Sequence, residues 1–322
     1  MSSLGRPILK LSGYAPALPT PFTDGDGLDG AALERLCELQ IMHGATALVV
    51  CGTTGEASTL SPAEHGELIR IAVAASRGRI PIVAGAGSNA TAHAIELSKD
   101  AEASGADAIL SVVPYYNKPT QDGLYAHFQA IAAATGLPLV LYDVPSRTAR
   151  GLADETVARL AELPRIVGLK DATGDVGRPA RLRALVGLDF NLLSGDDASA
   201  LAFLAQGGDG CISVTSNAAP GLCRDMFLAW QQGNAARARE LMLAISRLTA
   251  ALFCETNPAP IKYALALCGL MSAEVRLPLV ELSERAKAEV ATTFGPLCDE
   301  YPDCMIGVIG GAARKSRRAG AA

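Results

Sequence analysis

One repeat constrains this chain more than any other feature: short apolar runs alternate with helix-like segments eight times in succession. The runs are YAPALPTPF near residue 14, ALVVCGT near 47, IPIVAGAG near 80, ADAILSVVP near 106, LPLVLYDVP near 137, RIVGLKDAT near 165, NLLSGDD near 191 and GCISVTS near 210. Most carry unbroken Val, Ile and Leu instead of strict alternation, the pattern of parallel strands covered on both faces. Between them, segments such as AALERLCELQIMHG, PAEHGELIRIAVAASRG and ATAHAIELSKDAEASG place apolar residues at three- and four-residue steps and end in Gly, as amphipathic helices do. A doubly wound open sheet usually ends near about five or six strands, so eight strand-helix units predict an α/β chain closed into a (β/α)8 TIM barrel.

Beyond about Gly221 the strand pattern stops, and CRDMFLAWQQG, NAARARELMLAISRLTAALFCE, PAPIKYALALCGL and ELSERAKAEVATTF read as helices. The predicted organisation is a barrel carrying the active site over residues 1–232, a C-terminal helical subdomain over 233–295 and a flexible tail over 296–322. The tail ends in ARKSRRAGAA, whose Arg314, Lys315, Arg317 and Arg318 follow no packing pattern and read as a solvated, frayed end. A formal charge of -5 supplies no general attraction to nucleic acid or to an anionic membrane, so neither is an expected partner. The eight cysteines lack a CxxC pair and fall mostly in apolar periodic segments, which predicts buried thiols in a reducing cytoplasm. No stretch approaches the roughly 18 apolar residues of a membrane span, and the N-terminus lacks the sustained apolar core of a secretion signal.

In such a barrel the chemistry sits at the C-terminal ends of the strands. Those ends carry Thr53 and Thr54 after the second run, Tyr115 and Tyr116 after the fourth, Tyr142 and Arg147 around the fifth, Lys170 on the sixth, and Asp196 and Asp197 after the seventh. Lys170 closes IVGLK, where burying an ammonium would cost several kcal/mol without compensation. Desolvation and neighbouring positive charge can keep a fraction of the amine neutral and nucleophilic toward a carbonyl. Alternatively, the ammonium is held in a structural ion pair with Asp171, Asp196 or Asp197.

Tyr142 suits proton transfer near a reacting carbon, although a core position with its hydroxyl hydrogen-bonded is the default for such a residue. Thr53 and Thr54 can hold a carboxylate through hydroxyl and N–H groups, although capping the next helix is the default for such residues. Arg147 in VPSRTA fits bidentate carboxylate recognition or simple solvation. GAGSNA at 85–90 has the G-x-G-x-x-A spacing, but it lies in the third unit and the nearby Asp107 begins a strand instead of ending it, so no dinucleotide site is read there. His43, His65, His93 and His127 lie on separate helical segments without ligand spacing, so no metal is expected. Asp196 and Asp197 are read as N-capping the helix that follows GDDAS.

At these same residues the chain resembles the 4-hydroxy-tetrahydrodipicolinate synthase (dihydrodipicolinate synthase) family of pyruvate-dependent Schiff-base lyases. The resemblance runs from ALPTPF at 17 to the helices before 295, through GTTGEAS, AGAGSNAT, PYYNKPTQDGLYAHF, LYDVPSRT, GLKDATGD, LLSGDDASAL, GCISVTSN and NPAPIKYAL. It implies a barrel with C-terminal helices, assembled as a homotetramer built from two tight dimers. It also implies condensation of pyruvate with L-aspartate 4-semialdehyde to 4-hydroxy-tetrahydrodipicolinate in the diaminopimelate route to lysine, with no metal or organic cofactor. Lys170 would be the Schiff-base lysine, Tyr142 the proton donor and acceptor, and Thr53 with Tyr116 a proton relay in which Tyr116 reaches into the neighbouring subunit. Thr54 and Ile212 would contact pyruvate, and Arg147 the carboxylate of the aldehyde substrate.

The chain departs from the family pattern at two positions. Asp143 follows Tyr142 where the family usually carries Asn, a negative charge close to the site that brings specificity for the second substrate into question, with no compensating group evident. His93 stands where lysine-inhibited members commonly have a Glu that binds the inhibitor's amine, whereas His65, Asn89 and Tyr115 match the inhibitor-site pattern. A histidine holds an ammonium less well than a carboxylate does, so weak inhibition by lysine is expected. Within the same chemistry the alternatives are an N-acetylneuraminate lyase or another 2-oxo acid aldolase, against which the threonine pair, Tyr116 and Arg147 argue. A non-catalytic 2-oxo acid sensor or assembly paralogue would need neither Lys170 nor Tyr142.

Overall fold

The structure, a computed structural model, describes residues 9–306. Its strands are β1 (Gly13–Pro16), β2 (Leu48–Val50), β3 (Ile82–Gly85), β4 (Ala108–Val112), β5 (Leu139–Asp143), β6 (Ile166–Asp171), β7 (Asn191–Ser194) and β8 (Gly210–Ser213). They form one parallel sheet in which β1 pairs with β8 and the order continues through β7, β6, β5, β4 and β3 to β2. β1 and β2 meet through a parallel bridge between Ala17 and Val49, where the Leu18 N–H donates to the Val49 carbonyl at 2.9 Å. The sheet thus curls back on itself, and the barrel expected from the eight repeats is the observed fold.

Helices α1 (Gly30–Met42), α2 (Pro62–Ser76), α3 (Thr91–Ala103) and α4 (Gln121–Ala134) follow the first four strands. The short α5 (Pro145–Thr148) and then α6 (Asp154–Ala161) follow β5, while α7 (Arg178–Val186), α8 (Ala200–Ala205) and α9 (Pro220–Gln231) follow β6, β7 and β8. Several starts are encoded locally. Ser61 and Glu64 form a reciprocal capping box at α2, and Asp29 and Thr120 accept from backbone N–H groups at the starts of α1 and α4.

Strand alternation divides the apolar residues into two sets. Ala15, Val49, Val83, Leu110, Val140 and Ile212 fill the barrel interior. Leu48, Ile82, Ile109, Leu141 and Leu169 face outward and pack against Leu33, Leu68, Phe128 and Val157 of the helices. The last helices, α10 (Ala235–Leu252), α11 (Ala259–Leu267) and α12 (Glu284–Glu300), cover the β8–α9 side, where Leu241, Ile245, Leu265 and Val290 share a cluster with Leu222 and Met226.

The chain does not loosen at residue 296 as expected. The apolar stripe of α12 continues past Pro296 to a buried Leu297, and beyond it Met305 and Ile306 are buried as well, with the Ile306 N–H donating to the Ala218 carbonyl at 2.8 Å. Residues 307–322, including the basic cluster, lie outside the described residues. The eight cysteines are free thiols, with Cys37, Cys51, Cys211, Cys223 and Cys268 buried. Among the described residues no helix is long and apolar enough to cross a membrane, and no cluster of His, Cys, Asp and Glu could hold a metal ion.

Candidate active site

Tyr142 on β5 and Lys170 on β6 are paired in register. Tyr142 shares the interior cluster with Val140, and the Lys170 amine lies 4.2 Å from the centroid of the Tyr142 ring, so both side chains enter the barrel mouth. Lys170 is 6% exposed and Tyr142 7%. The lysine stem runs against backbone: a Cβ on Gly195 would stand 2.9 Å from Lys170 Cε, so the residue that follows β7 must be Gly to leave the side chain its room.

None of the three candidate carboxylates pairs with the amine. Asp171 turns outward to Arg178 at 3.3 Å, and Asp196 accepts from the Ser199 N–H and hydroxyl at 3.1 and 2.5 Å. Asp197 accepts from the Ser213 hydroxyl and from the N–H groups of Val214 and Thr215 at 2.8 and 3.1 Å. Among the described residues Lys170 enters no ion pair, which removes the structural alternative for its burial. The same contacts correct the expectation for GDDAS. α8 starts after Ser199 without a side-chain cap, and Asp197 instead pins the turn that follows β8.

A cavity of about 480 Å³ opens from the barrel mouth, and Thr53, Tyr142, Val144 and Arg147 line it. Arg147 projects from α5, a single turn that begins with Pro145. Thr53 and Thr54 do not cap α2, whose capping box is complete with Ser61 and Glu64. Thr54 is buried, and its hydroxyl oxygen accepts from Asn257 Nδ2 at 3.0 Å. Ile212 lies below, in the apolar cluster that contains Tyr142. Tyr116 is not brought in: it is 89% exposed, on a left-handed backbone with φ 74°.

The same cavity is also lined by His65, Ser88, His93 and Tyr115. His65 Nε2 lies 2.7 Å from the Gly85 carbonyl oxygen, and burial pushes its imidazole below the usual range. His93 Nδ1 lies 3.3 Å from Ser88 Oγ, and the carbonyl of the adjacent Asn89 accepts from Asn117 at 2.8 Å. The glycines of GAGSNA have a packing cause. Side chains on Gly85 and Gly87 would collide with the backbone of Cys51 and Val112, so the G-x-G spacing records how closely neighbouring strand ends approach.

Asp143 does have a counter-ion. Its position one residue after Tyr142 turns the carboxylate to the outer face of β5, where it is fully buried and 2.8 Å from Arg178 Nη1. Arg178 also reaches Asp154 at 2.8 Å and donates to the Leu152 carbonyl at 2.6 Å. Burial pushes the Asp143 carboxyl above the ordinary range, and the guanidinium opposes that shift.

Sequence reasoning missed a second buried pair. Lys262 Nζ on α11 lies 2.6 Å from Glu56 Oε1, with both side chains at most 1% exposed, and the Arg276 N–H donates to the other Glu56 oxygen at 2.9 Å. The pair ties the loop after β2, which carries the threonines, to the C-terminal helices. Its only local signal is a lone lysine within the apolar helix APIKYALAL.

The family model of the Dihydrodipicolinate synthetase family matches residues 10–295. The 4-hydroxy-tetrahydrodipicolinate synthase of Hyphomonas neptunium is 54% identical over 280 residues, 86% of this chain and 95% of that protein. The structure of the 4-hydroxy-tetrahydrodipicolinate synthase from Methylacidiphilum fumariolicum SolV superposes with a TM-score of 0.89 at 43% identity, covering 92% of this chain and 98% of that one. The chloride-inhibited dihydrodipicolinate synthase from Acinetobacter baumannii, complexed with pyruvate, gives a TM-score of 0.86 at 45% identity, covering 89% and 99% of the two chains. Matched through its barrel and its C-terminal helices alike, the chain belongs to the dihydrodipicolinate synthetase family.

Proposed function

We propose that this protein is a Schiff-base lyase that condenses pyruvate with L-aspartate 4-semialdehyde to give 4-hydroxy-tetrahydrodipicolinate. Lys170 carries the proposal: a buried amine without a carboxylate partner among the described residues, set against the Tyr142 ring beside a cavity that Arg147 also lines. The identity to Hyphomonas neptunium 4-hydroxy-tetrahydrodipicolinate synthase supports the choice of substrates.

The Lys170 amine attacks the keto carbon of pyruvate, and the carbinolamine loses water to become an iminium. That cation withdraws electrons from the former keto carbon, so the methyl group loses a proton and becomes an enamine nucleophile. The chemistry requires no metal or organic cofactor, because the iminium is itself the electron sink. The enamine carbon attacks the aldehyde carbon, whose oxygen gains a proton. The amine of the aldehyde substrate then attacks the iminium carbon and releases Lys170 as the ring closes, with one water as the net by-product.

Tyr142 carries the protons of these steps, a role supported by the 4.2 Å between its ring centroid and the Lys170 amine. A phenol is a weak acid and needs hydroxyl partners, which we assign to Thr53 and to Tyr116 of a neighbouring copy. Thr54 and Ile212 hold pyruvate, and Arg147 takes the carboxylate of the aldehyde in a bidentate clamp. The assembly is a homotetramer, a dimer of dimers, and the exposed Tyr116 at a left-handed position supports a partner surface there. Free thiols fit a cytoplasmic setting. His65, Asn89, His93 and Tyr115 form a lysine-inhibitor site that His93 weakens.

Borohydride reduction in the presence of pyruvate, followed by peptide mass analysis, tests the proposal. A pyruvate-derived adduct on Lys170 is expected, and an adduct on another side chain, or none, overturns it.

A further inference from the structure

Asn257 lies in the connection between α10 and α11, is 5% exposed, and is 203 residues from Thr54, to whose hydroxyl oxygen its Nδ2 donates at 3.0 Å. Its Oδ1 is buried without a partner. Rotating the amide would bury the unpaired NH2 group instead, the costlier orphan because it holds two donors. The observed orientation is therefore the favourable one, and the polar contact that Asn257 makes is the one through its N–H.

A hydroxyl has one proton to give and lone pairs with which to accept. With an Asn257 N–H occupying a lone pair of Thr54 Oγ1, the threonine proton is free to point at an acceptor, and no other hydrogen bond engages this oxygen among the described residues. We infer that Asn257 is a positioning residue that fixes Thr54 as a hydrogen-bond donor, and so sets the site for the carboxylate of a 2-oxo acid. The inference rests on the assignment of Thr54 as a pyruvate contact. The same C-terminal segment is joined to the threonine loop a second time, by the buried ion pair of Lys262 with Glu56.

The test compares pyruvate and aldehyde kinetics of the full-length protein with those of N257D, N257A and T54V. In N257D at neutral pH a carboxylate takes the Thr54 proton, so kcat/KM for pyruvate should fall by on the order of 30-fold, chiefly through KM, with the aldehyde KM within about twofold. Activity of N257D should recover as pH falls, because the protonated acid donates to Thr54 as the amide did. N257A should lose about tenfold, and N257D should cost little more once T54V is present. Should N257D fail to give a native circular dichroism spectrum and cooperative melt, the KM-against-kcat split of N257A decides. An unchanged pyruvate KM in the Asn257 variants, with T54V raised and the wild-type pyruvate adduct formed, overturns this inference alone. Absence of the wild-type adduct overturns it together with the proposed function.

Discussion

Asp143 and Arg178 meet at 2.8 Å with neither side chain more than 4% exposed, on the face of β5 turned away from the cavity. Each reacting residue is followed by an aspartate, Tyr142 by Asp143 and Lys170 by Asp171, and the two pairs are in register on adjacent strands. Both carboxylates grip one guanidinium, so a single arginine fastens the two strands that carry the amine and the phenol.

Arg178→Met should therefore cost about 3–5 kcal/mol in urea-unfolding free energy, because it strands Asp143 and Asp171 without a counter-ion in the protein interior. Asp143→Asn keeps an oxygen for Arg178 and the Leu152 N–H and should cost only about 1–2 kcal/mol. Its aldehyde KM should stay within about twofold of wild type. A large change in that KM would show that the carboxylate acts on substrate.

Lys170→Ala should abolish most turnover, lowering kcat by several orders of magnitude in a coupled assay, since the covalent route is lost. Its thermal midpoint should stay within a few degrees of wild type, because no ion pair is broken among the described residues. A collapsed or aggregated variant would point to a structural role for the amine.

Lysine should inhibit weakly, with half-inhibition at millimolar and not micromolar concentrations, because the imidazole of His93 offers an ammonium no fixed negative charge. His93→Glu should tighten lysine binding by about tenfold. Titration calorimetry on the two proteins checks both statements, and micromolar binding by wild type would contradict the first.

Acid should destabilise the protein in two stages. His127 is buried between α3 and α4, with Thr91 Oγ1 at 2.9 Å, and burial pushes its imidazole down to about 4. Protonation thus favours the unfolded chain, so this contribution is intact above about pH 6.5 and declines until about pH 4, amounting to ~3 kcal/mol. Glu64 is held down to about 2 by Arg276 at 2.5 Å, and the stability it contributes is present above about pH 4.5 and lost toward pH 2. Urea melts between pH 7 and 4 should show a steeper decline for wild type than for His127→Asn, and equal slopes would contradict the assignment.

Apolar periodicity is a local property, so the eight strands, their order, the helices between them and the polar residues closing each strand were all legible in the linear chain. What each polar side chain meets is not local. Asp143 is neutralised by a residue 35 positions on, Thr54 is oriented by Asn257 at 203, and Glu56 is paired with Lys262 at 206. Even the packing that continues past residue 296, through Met305 and Ile306 among the described residues, depends on a groove built by α9 and the turn after β8. Sequence alone determined which residues close the strands, because strand parity and strand length are written in neighbouring residues. Tertiary structure decided which of them are charged partners, donors or bystanders, because those roles depend on the segments that folding brings against them.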